Sequence, residues 1–173
     1  MTFSIRAIIR AFVAPNHAIR CSLSLWNEVL GELERRGAGR HEAGAFLLGT
    51  ISGEKRNILG VVYYDDLDRA AYDSGVCILH GDAFSRLWAI CRHRSLTVVA
   101  DVHTHPGGAD QSWSDRTNPM VARAGHIALI IPNFACPPVG MSEIGIYQYR
   151  GGHQWMDRSG SHQPNFFYVG MWS

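Results

Sequence analysis

The chain has few cysteines, no long apolar run and no block of like charge. Its 173 residues contain four widely spaced cysteines without a Cys-x-x-Cys pair, so neither a zinc ribbon nor a disulfide framework is indicated. No apolar run approaches the roughly 20 residues that span a bilayer. The 16 basic and 15 acidic residues nearly cancel, which gives no support to a nucleic-acid or membrane partner. We therefore expect reduced thiols and a cytoplasmic protein that binds neither nucleic acid nor membrane.

A secretory leader is not expected either. Residues 5–13 are apolar but are interrupted by Arg6 and Arg10, and no small-residue cleavage pattern follows, so this stretch predicts a strand. Internal repeats, low-complexity segments and interdomain linkers are not found in the sequence. The length is sufficient for a core without disulfides, and we expect one domain over residues 1–173.

Periodicity predicts two main amphipathic helices and several strands. Ser24 is the predicted cap of the first helix, which a pair of glycines ends, and Asp82 opens the second. Residues 65–80 are irregular and are expected to form a mobile loop, and a short helix is predicted within residues 115–124. Strands are predicted at residues 43–51, 57–64, 96–105, 127–131, 144–149, 153–156 and 166–169. These elements together predict an α+β fold.

The motif His103-Thr104-His105-Pro106 carries the most information about function. Side chains on a strand alternate between faces, so histidines two residues apart point to one face and can bind one metal ion. The proline ends the strand and two glycines let the backbone turn, after which Asp115 follows on a new element. A strand and the next helix can thus converge on one metal, with Asp115 as its third ligand.

A set of three ligands predicts a catalytic metal. Structural zinc is normally closed by four protein ligands, often thiolates, whereas catalytic zinc has three and leaves a position for water. Zinc lowers the pKa of that water from roughly 16 to about 7 and polarises a carbonyl. The sequence therefore predicts a hydrolase site with one Zn²⁺ per chain. Ordinary surface or core positions are expected for His17, His41, His80, His93, His126, His153 and His162.

Amide hydrolysis also needs a group that carries a proton. It must take a proton from water and give it to the leaving amine, and a carboxylate near the metal but not bound to it suits this role. Glu42, an isolated acid well upstream of the histidines, is the candidate. The alternative is an ordinary surface pair with Arg40.

Two further side chains are candidates for supporting roles. Ser112 would donate a hydrogen bond to the oxyanion of the tetrahedral intermediate, with Ser114 in reserve. The alternative for Ser112 is a helix N-cap. Asp101 shares the strand face of the two histidines and would be a hydrogen-bond partner for a ligand imidazole, although a simple buried or edge carboxylate is equally consistent.

Together these residues resemble the JAMM zinc metallopeptidases of the JAB/MPN family, whose pattern is a distant Glu, then His-x-His-Pro, a short spacer and Ser-x-x-Asp. The matching residues are Glu42, His103, His105, Pro106, Ser112 and Asp115. Residues 42–49 also lead from the acid into a Gly-containing apolar strand, as in the family, and the likeness spans residues 20–150. The spacer between Pro106 and Ser112 is one residue shorter than in the familiar eukaryotic members, which predicts a tighter loop.

The resemblance implies a JAB/MPN-like single domain in which a mixed curved β-sheet is flanked by two main helices. It implies that His103, His105 and Asp115 bind zinc, that Glu42 is the general acid/base, and that Ser112 stabilises the intermediate. Members commonly cut isopeptide bonds after the C-terminal glycine of ubiquitin or a ubiquitin-like protein. The chain is most similar to the prokaryotic branch, which implies a ubiquitin-like protein or its conjugates as partner, with associated activating and conjugating enzymes, in some cases in antiviral systems.

Two other functions are consistent with the motifs. The same site would serve a zinc peptidase that acts on small peptides or sulfur-carrier proteins. A noncatalytic scaffold of the same fold is the third function, but such members typically lose the metal ligands that this chain has. A glycine-ended tail would be recognised as an added strand beside the site, with residues 65–80 as one wall of its groove.

Overall fold

The computed structural model describes residues 17–160, 163 and 165–170. The strand predicted at residues 5–13 lies outside the described residues. So does His162, which was expected to be an ordinary surface or core histidine. Within the described residues the helices are α1 (Leu23–Gly37), α2 (Tyr64–Leu67), α3 (Gly81–Arg94) and α4 (Trp113–Thr117). The strands are β1 (Ile19–Ser22), β2 (Gly44–Ser52), β3 (Lys55–Tyr63), β4 (Thr97–Thr104), β5 (Ile127–Ile131), β6 (Gly145–Gly151), β7 (Gln154–Asp157) and β8 (Phe167–Gly170).

The strands form one mixed sheet in the order β7-β6-β5-β4-β2-β3-β1-β8. β4 pairs parallel with β5, and β1 pairs parallel with both β3 and β8, whereas the other neighbours are antiparallel. β4 therefore has a hydrogen-bonded neighbour on each side. Its carboxyl end, where the two histidines lie, is held in the middle of the sheet.

The two long helices cover opposite faces of this sheet. Trp26 and Leu33 of α1 belong to the same buried cluster as Leu47 of β2. Leu87 of α3 packs in a second cluster with Phe46, the neighbour of Leu47 on that strand. Because side chains alternate along a strand, the two clusters lie on opposite faces. The predicted α+β fold with a mixed sheet and two main helices is confirmed.

The first helix begins two residues earlier than predicted. Its N-cap is Ser22, whose Oγ accepts a hydrogen bond from the backbone N–H of Leu25 at 3.3 Å, whereas the predicted cap Ser24 lies inside the helix. The helix ends at Gly37, and its C-cap Ala38 adopts a left-handed conformation with φ 49°. No helix in the described part of the chain is both long and apolar enough to cross a membrane.

The segment between β3 and α3, predicted to be an irregular loop, contains a helical turn. Its first residues form the one-turn helix α2, and Arg36 of α1 contacts both Asp65 and Asp66 in that turn. Further along, the backbone N–H of Ile78 donates to the carbonyl of Ala71 at 2.9 Å. These hydrogen bonds fold the segment back on itself beside the end of β4.

Candidate metal centre

His103 and His105 lie together at the carboxyl end of β4. Their Nε2 atoms are 3.0 Å apart, and each residue is 9% exposed. Thr104, between them, points to the other side of the strand, where its Oγ1 accepts a hydrogen bond from the backbone N–H of Ala43 at 2.9 Å. Because side chains alternate along the strand, the two imidazoles point to one side. Thr104 points to the other side, where it holds the backbone just before β2.

Asp115, in the first turn of α4, faces both imidazoles. Its Oδ1 is 3.4 Å from Nε2 of His103, and its Oδ2 is 3.2 Å from Nε2 of His105. Ligand atoms at about 2.0–2.1 Å from a tetrahedral zinc lie about 3.3 Å from one another. The three separations of 3.0, 3.4 and 3.2 Å agree with that spacing. The residues therefore fit a metal ion, and the cluster offers three protein ligands.

The carboxylate of Asp115 and the imidazole of His103 shift each other's pKa. Burial raises the pKa of Asp115, but hydrogen bonds from His103 and His105 outweigh it and hold that pKa well below its usual range. Burial lowers the pKa of His103, and the hydrogen bond with Asp115 reverses this, so the net direction is upward. Asp115 is thus an anion at neutral pH, and a metal ion would compete with a proton for the imidazole nitrogen.

Glu42 lies just before β2, with its carboxylate directed toward the histidines. Its Oε1 is 3.9 Å from Nε2 of His105, and its side chain is 15% exposed. Burial raises the pKa of Glu42, whereas the positive charge of His103 and His105 and the backbone N–H of Cys77 lower it; the net direction is upward. The ion-pair partner of Glu42 is His105 and not its neighbour Arg40, so the carboxylate belongs to the site.

Ser112 is the N-cap of α4, which is the alternative role that the sequence predicted for this residue. Its Oγ accepts from the backbone N–H of Asp115 at 3.2 Å, and its own backbone N–H donates to Oδ2 of Asp115 at 2.7 Å. This reciprocal pair fixes the ligand carboxylate relative to the helix. The hydroxyl proton of Ser112 is not used by the cap. A role toward a substrate oxygen stays a prediction for Ser112, and also for Ser114.

Asp101 has partners other than the ligand imidazoles. Its Oδ1 is 2.5 Å from Nε2 of His126, and its Oδ2 accepts from the hydroxyl of Tyr64 at 3.4 Å. The pair is almost fully enclosed, with side chains 4% and 5% exposed. The sequence assigned no partner to His126. The sequence feature that could have indicated this pair is the position of His126 just before the buried strand β5. That strand pairs with β4 so that Ala128 lies beside Asp101.

A cavity of about 480 Å³ opens beside the three ligands. Glu42, His103, Ser112 and Asp115 contribute to its polar side, together with Asp101 and Gln111. Its apolar side comes from residues 76–79, Phe84 of α3 and Met120. The segment between α2 and α3 therefore forms one wall of a space large enough for several side chains of a ligand.

Comparison with known proteins gives a relative of stated activity and solved structures with a similar fold. No family model matches the chain. Over 82 residues it is 30% identical to a Sinorhizobium fredii protein named Probable metalloprotease y4jG, covering 47% of this chain and 51% of the relative. The chain thus spans about half the length of that relative.

One structural neighbour is the solution structure of protein DSY2949 from Desulfitobacterium hafniense. The two have a TM-score of 0.61 and 17% sequence identity, over 87% of this chain and 92% of the other. At this identity the likeness shows the fold alone. The chain is therefore similar over part of its length to a protein named as a metalloprotease, and it has a cluster of His103, His105 and Asp115 suited to a metal ion.

Proposed function

We propose that this protein is a metal-dependent peptidase of the JAMM type. The observation that carries the proposal is the arrangement of three ligand side chains, on β4 and α4, with the unbound carboxylate of Glu42 beside them. The ligand set leaves room for water, as catalytic sites do, and the site opens into a cavity. The partial similarity to a protein named as a metalloprotease supports the same activity.

His103, His105 and Asp115 would hold the metal, and we propose one zinc ion per chain. Two imidazoles and one carboxylate are ligands that zinc accepts. When bound, zinc supplies an acidified water and polarises a substrate carbonyl. The capping bonds between Ser112 and Asp115 keep the carboxylate in place, and the strand geometry fixes the two imidazoles.

Glu42 would carry the proton. Its carboxylate takes a proton from the attacking water and returns it to the nitrogen of the leaving amine. A carboxylate with a raised pKa is a stronger base and accepts a proton near neutral pH more readily than a strongly acidic one does. Burial gives Glu42 that upward shift in pKa. Ser112 would donate its free hydroxyl proton to the substrate oxygen as negative charge develops there.

For the substrate we propose the bond after the C-terminal glycine of a ubiquitin-like modifier, cut in deconjugation or precursor processing. The support is the resemblance of the motifs to JAMM peptidases, in particular the prokaryotic branch. Partners would be the modifier, its conjugates and the associated activating and conjugating enzymes, with an antiviral system as one setting. The wall formed by residues 76–79 would lie beside the extended tail.

A peptidase acting on small peptides or sulfur-carrier proteins is the second candidate. The cavity favours it, because about 480 Å³ with one apolar side can enclose side chains larger than glycine. The noncatalytic scaffold has less support, since all three ligands and the acid lie together.

The test is cleavage of two substrates by the zinc-loaded protein. One is a ubiquitin-like protein fused through its terminal glycine to a reporter, and the other is a mixture of short blocked peptides. Glu42→Ala should retain zinc and lose cleavage, whereas Glu54→Ala, in the exposed turn between β2 and β3, should behave as wild type. Cleavage of the fusion supports the glycine-directed function, and cleavage of peptides alone supports the second candidate. Full activity of Glu42→Ala, or of metal-free protein, would overturn the mechanism.

A further inference from the structure

Gln111 is a buried polar residue that has no role in the proposed mechanism. It is 8% exposed, and its Nε2 is shielded from solvent without a hydrogen-bond partner among the described residues. Buried polar groups in native proteins are almost always hydrogen-bonded, so an unpaired amide requires an explanation. The nitrogen cannot be reached in this position, but a half-turn of the terminal amide about the Cγ–Cδ bond exchanges it with the oxygen. Its two N–H groups are then available to an acceptor that the chain does not itself supply.

The backbone around Gln111 is held firmly against β6. The hydroxyl of Tyr147 donates to the carbonyl of Ala109 at 3.0 Å, and the backbone N–H of Gln111 faces the same phenol oxygen. Close contact is possible because position 145 is glycine; a Cβ there would lie 2.1 Å from the carbonyl oxygen of Ala109. The short loop after Pro106 therefore fixes where the Gln111 side chain begins.

Gln111 also lies at the site itself. It lines the same cavity as Glu42, His103 and Asp115, and it directly precedes Ser112. A peptide in that cavity brings carbonyl oxygens, which are acceptors without a donor of their own. Ser112 has a single hydroxyl proton to give, and its Oγ already accepts a hydrogen bond from the backbone N–H of Asp115. A second donor is therefore needed if more than one carbonyl, or both lone pairs of one, are to be satisfied.

We propose that the side-chain amide of Gln111 donates a hydrogen bond to a backbone carbonyl of the peptide bound in this cavity. The proposal rests on the proposed function in that the ligand is a peptide. It does not require that the peptide be cleaved. Gln111 would be a substrate-binding residue in addition to the predicted set.

A binding experiment tests the contact without relying on activity. The side-chain amide signals of Gln111 are assigned in ¹⁵N-labelled, zinc-loaded protein as the pair missing from Gln111→Met, and the blocked dipeptide N-acetyl-Leu-Gly-amide is added. A downfield shift of this pair, with Gln148 unchanged in its bond to Arg158, supports the proposal. Shifts of backbone amides at Asn118 and Met120 without a shift at Gln111 would overturn it, and so would no shift at any cavity residue.

Kinetics separate a role in binding from a role in folding. Methionine has nearly the shape of glutamine but no donor, so Gln111→Met should not lower the Tm, because it removes an unpaired buried group. It should lower kcat/KM for peptide cleavage at least about tenfold, as expected when one hydrogen bond to the substrate is lost. The control Gln154→Met, on exposed β7, should change neither quantity. Unchanged kcat/KM in Gln111→Met would overturn the inference.

The two proposals fail in different ways. If wild type cleaves no substrate but the Gln111 amide signals shift with the dipeptide, the peptidase function is wrong and the binding role stands. If wild type cleaves peptides and Gln111→Met is as active, the function stands and the binding role is wrong.

Discussion

At the residue scale, the buried pair of Asp101 and His126 links β4, which leads into His103 and His105, to the neighbouring strand β5. The two atoms are 2.5 Å apart, and Tyr64 adds a hydrogen bond from the other side. Replacing Asp101 by alanine leaves both partners without an acceptor inside the protein. We expect Asp101→Ala to lower the free energy of unfolding by about 3 kcal/mol, measured by urea denaturation at neutral pH.

The matched control is Asp82→Ala. Asp82 pairs with Arg86 on the surface of α3, where both side chains are at least half exposed. Such a pair contributes little, so its loss should change the unfolding free energy by about 0.5 kcal/mol or less. Equal stability of Asp101→Ala and Asp82→Ala would show that the buried pair is dispensable.

The difference between His103 and His126 shows which residues a sequence can assign. His103 and His105 were predictable as a pair because strand geometry over three residues places them on one face. His126 contacts Asp101 because β4 and β5 pair in a particular parallel register, and no local sequence pattern predicts that register. Glu42 is an intermediate case: the sequence left it open between a proton carrier and a surface pair with Arg40, and the fold brings it to 3.9 Å from His105.

At the element scale, Asp68 and His80 close the segment between α2 and α3 that walls the cavity. Oδ2 of Asp68 accepts from Nδ1 of His80 at 2.6 Å and from its backbone N–H at 3.1 Å. The hydrogen bond from the His80 side chain lowers the pKa of Asp68 to about 2, and the same bond raises the pKa of His80 above 6.5. The contribution of Asp68 is present above its ordinary pKa of 3.8 and is lost as the pH falls toward 2.

The contribution of His80 has the opposite sign. It is fully present below pH 6.5 and is lost as the pH rises through the raised pKa of the folded protein. We therefore expect the segment to open more often in alkaline solution than at about pH 5 to 6. The measurement is the hydrogen-exchange protection factor of the Ile78 amide, which donates within the segment.

His80→Gln is the control for this pH effect. It should show reduced protection of the Ile78 amide at mildly acidic pH and no further loss on raising the pH. The amide of Leu47 in β2 should keep its protection in both proteins, because that strand is paired on both sides. A pH-independent protection factor in wild type would refute the titration of this contact.

The hairpin β6–β7 supports the helix that carries Asp115. Nε1 of Trp155 donates to the carbonyl of Arg116 at 3.1 Å, next to the ligand in sequence. Trp155→Phe keeps an aromatic ring but removes the donor, so α4 is held less firmly. We expect the zinc dissociation constant to rise about tenfold, as for other residues that support metal ligands, measured by competition with a chromogenic chelator.

Trp88→Phe is the matched control for this substitution. Trp88 is 40% exposed on α3 and does not line the cavity. Its replacement should leave the zinc affinity unchanged. If Trp155→Phe also binds zinc as wild type does, the capping bonds of Ser112 alone are enough to position Asp115.

Secondary structure was predictable to the extent that it depends on short-range patterns. The apolar spacing of α1 and α3 and the turn at Gly53 could be read directly, whereas Ser24 was chosen over Ser22 because both serines can cap a helix. The turn α2 was missed because Arg36, far away in sequence, helps hold its two aspartates. The partnership of Trp155 with α4 likewise depends on how the sheet brings the two together.

At the scale of the whole molecule, the site exists only when the sheet is complete. The three side chains come from the carboxyl end of β4, from the residue that follows it and from α4, and in an unfolded chain nothing holds them within 4.8 Å of one another. A metal that binds the folded state alone stabilises it by RT ln(1 + [L]/Kd), about 4 kcal/mol at a thousandfold excess over Kd. We expect such an excess of zinc to raise the Tm by about 10 °C, measured by calorimetry or circular dichroism.

The core itself does not depend on the metal. Two hydrophobic clusters, one under α1 and one under α3, bury both faces of the sheet without a contribution from the ligands. Protein treated with a chelator should therefore stay folded, with a lower Tm that returns on adding zinc, and His103→Ala should have the Tm of the metal-free protein with or without zinc. Unfolding on chelation would instead mean that the metal is structural, and a Tm unaffected by zinc would mean that the three side chains do not bind it. A reversible shift in a chain that stays folded is the result that a catalytic metal predicts.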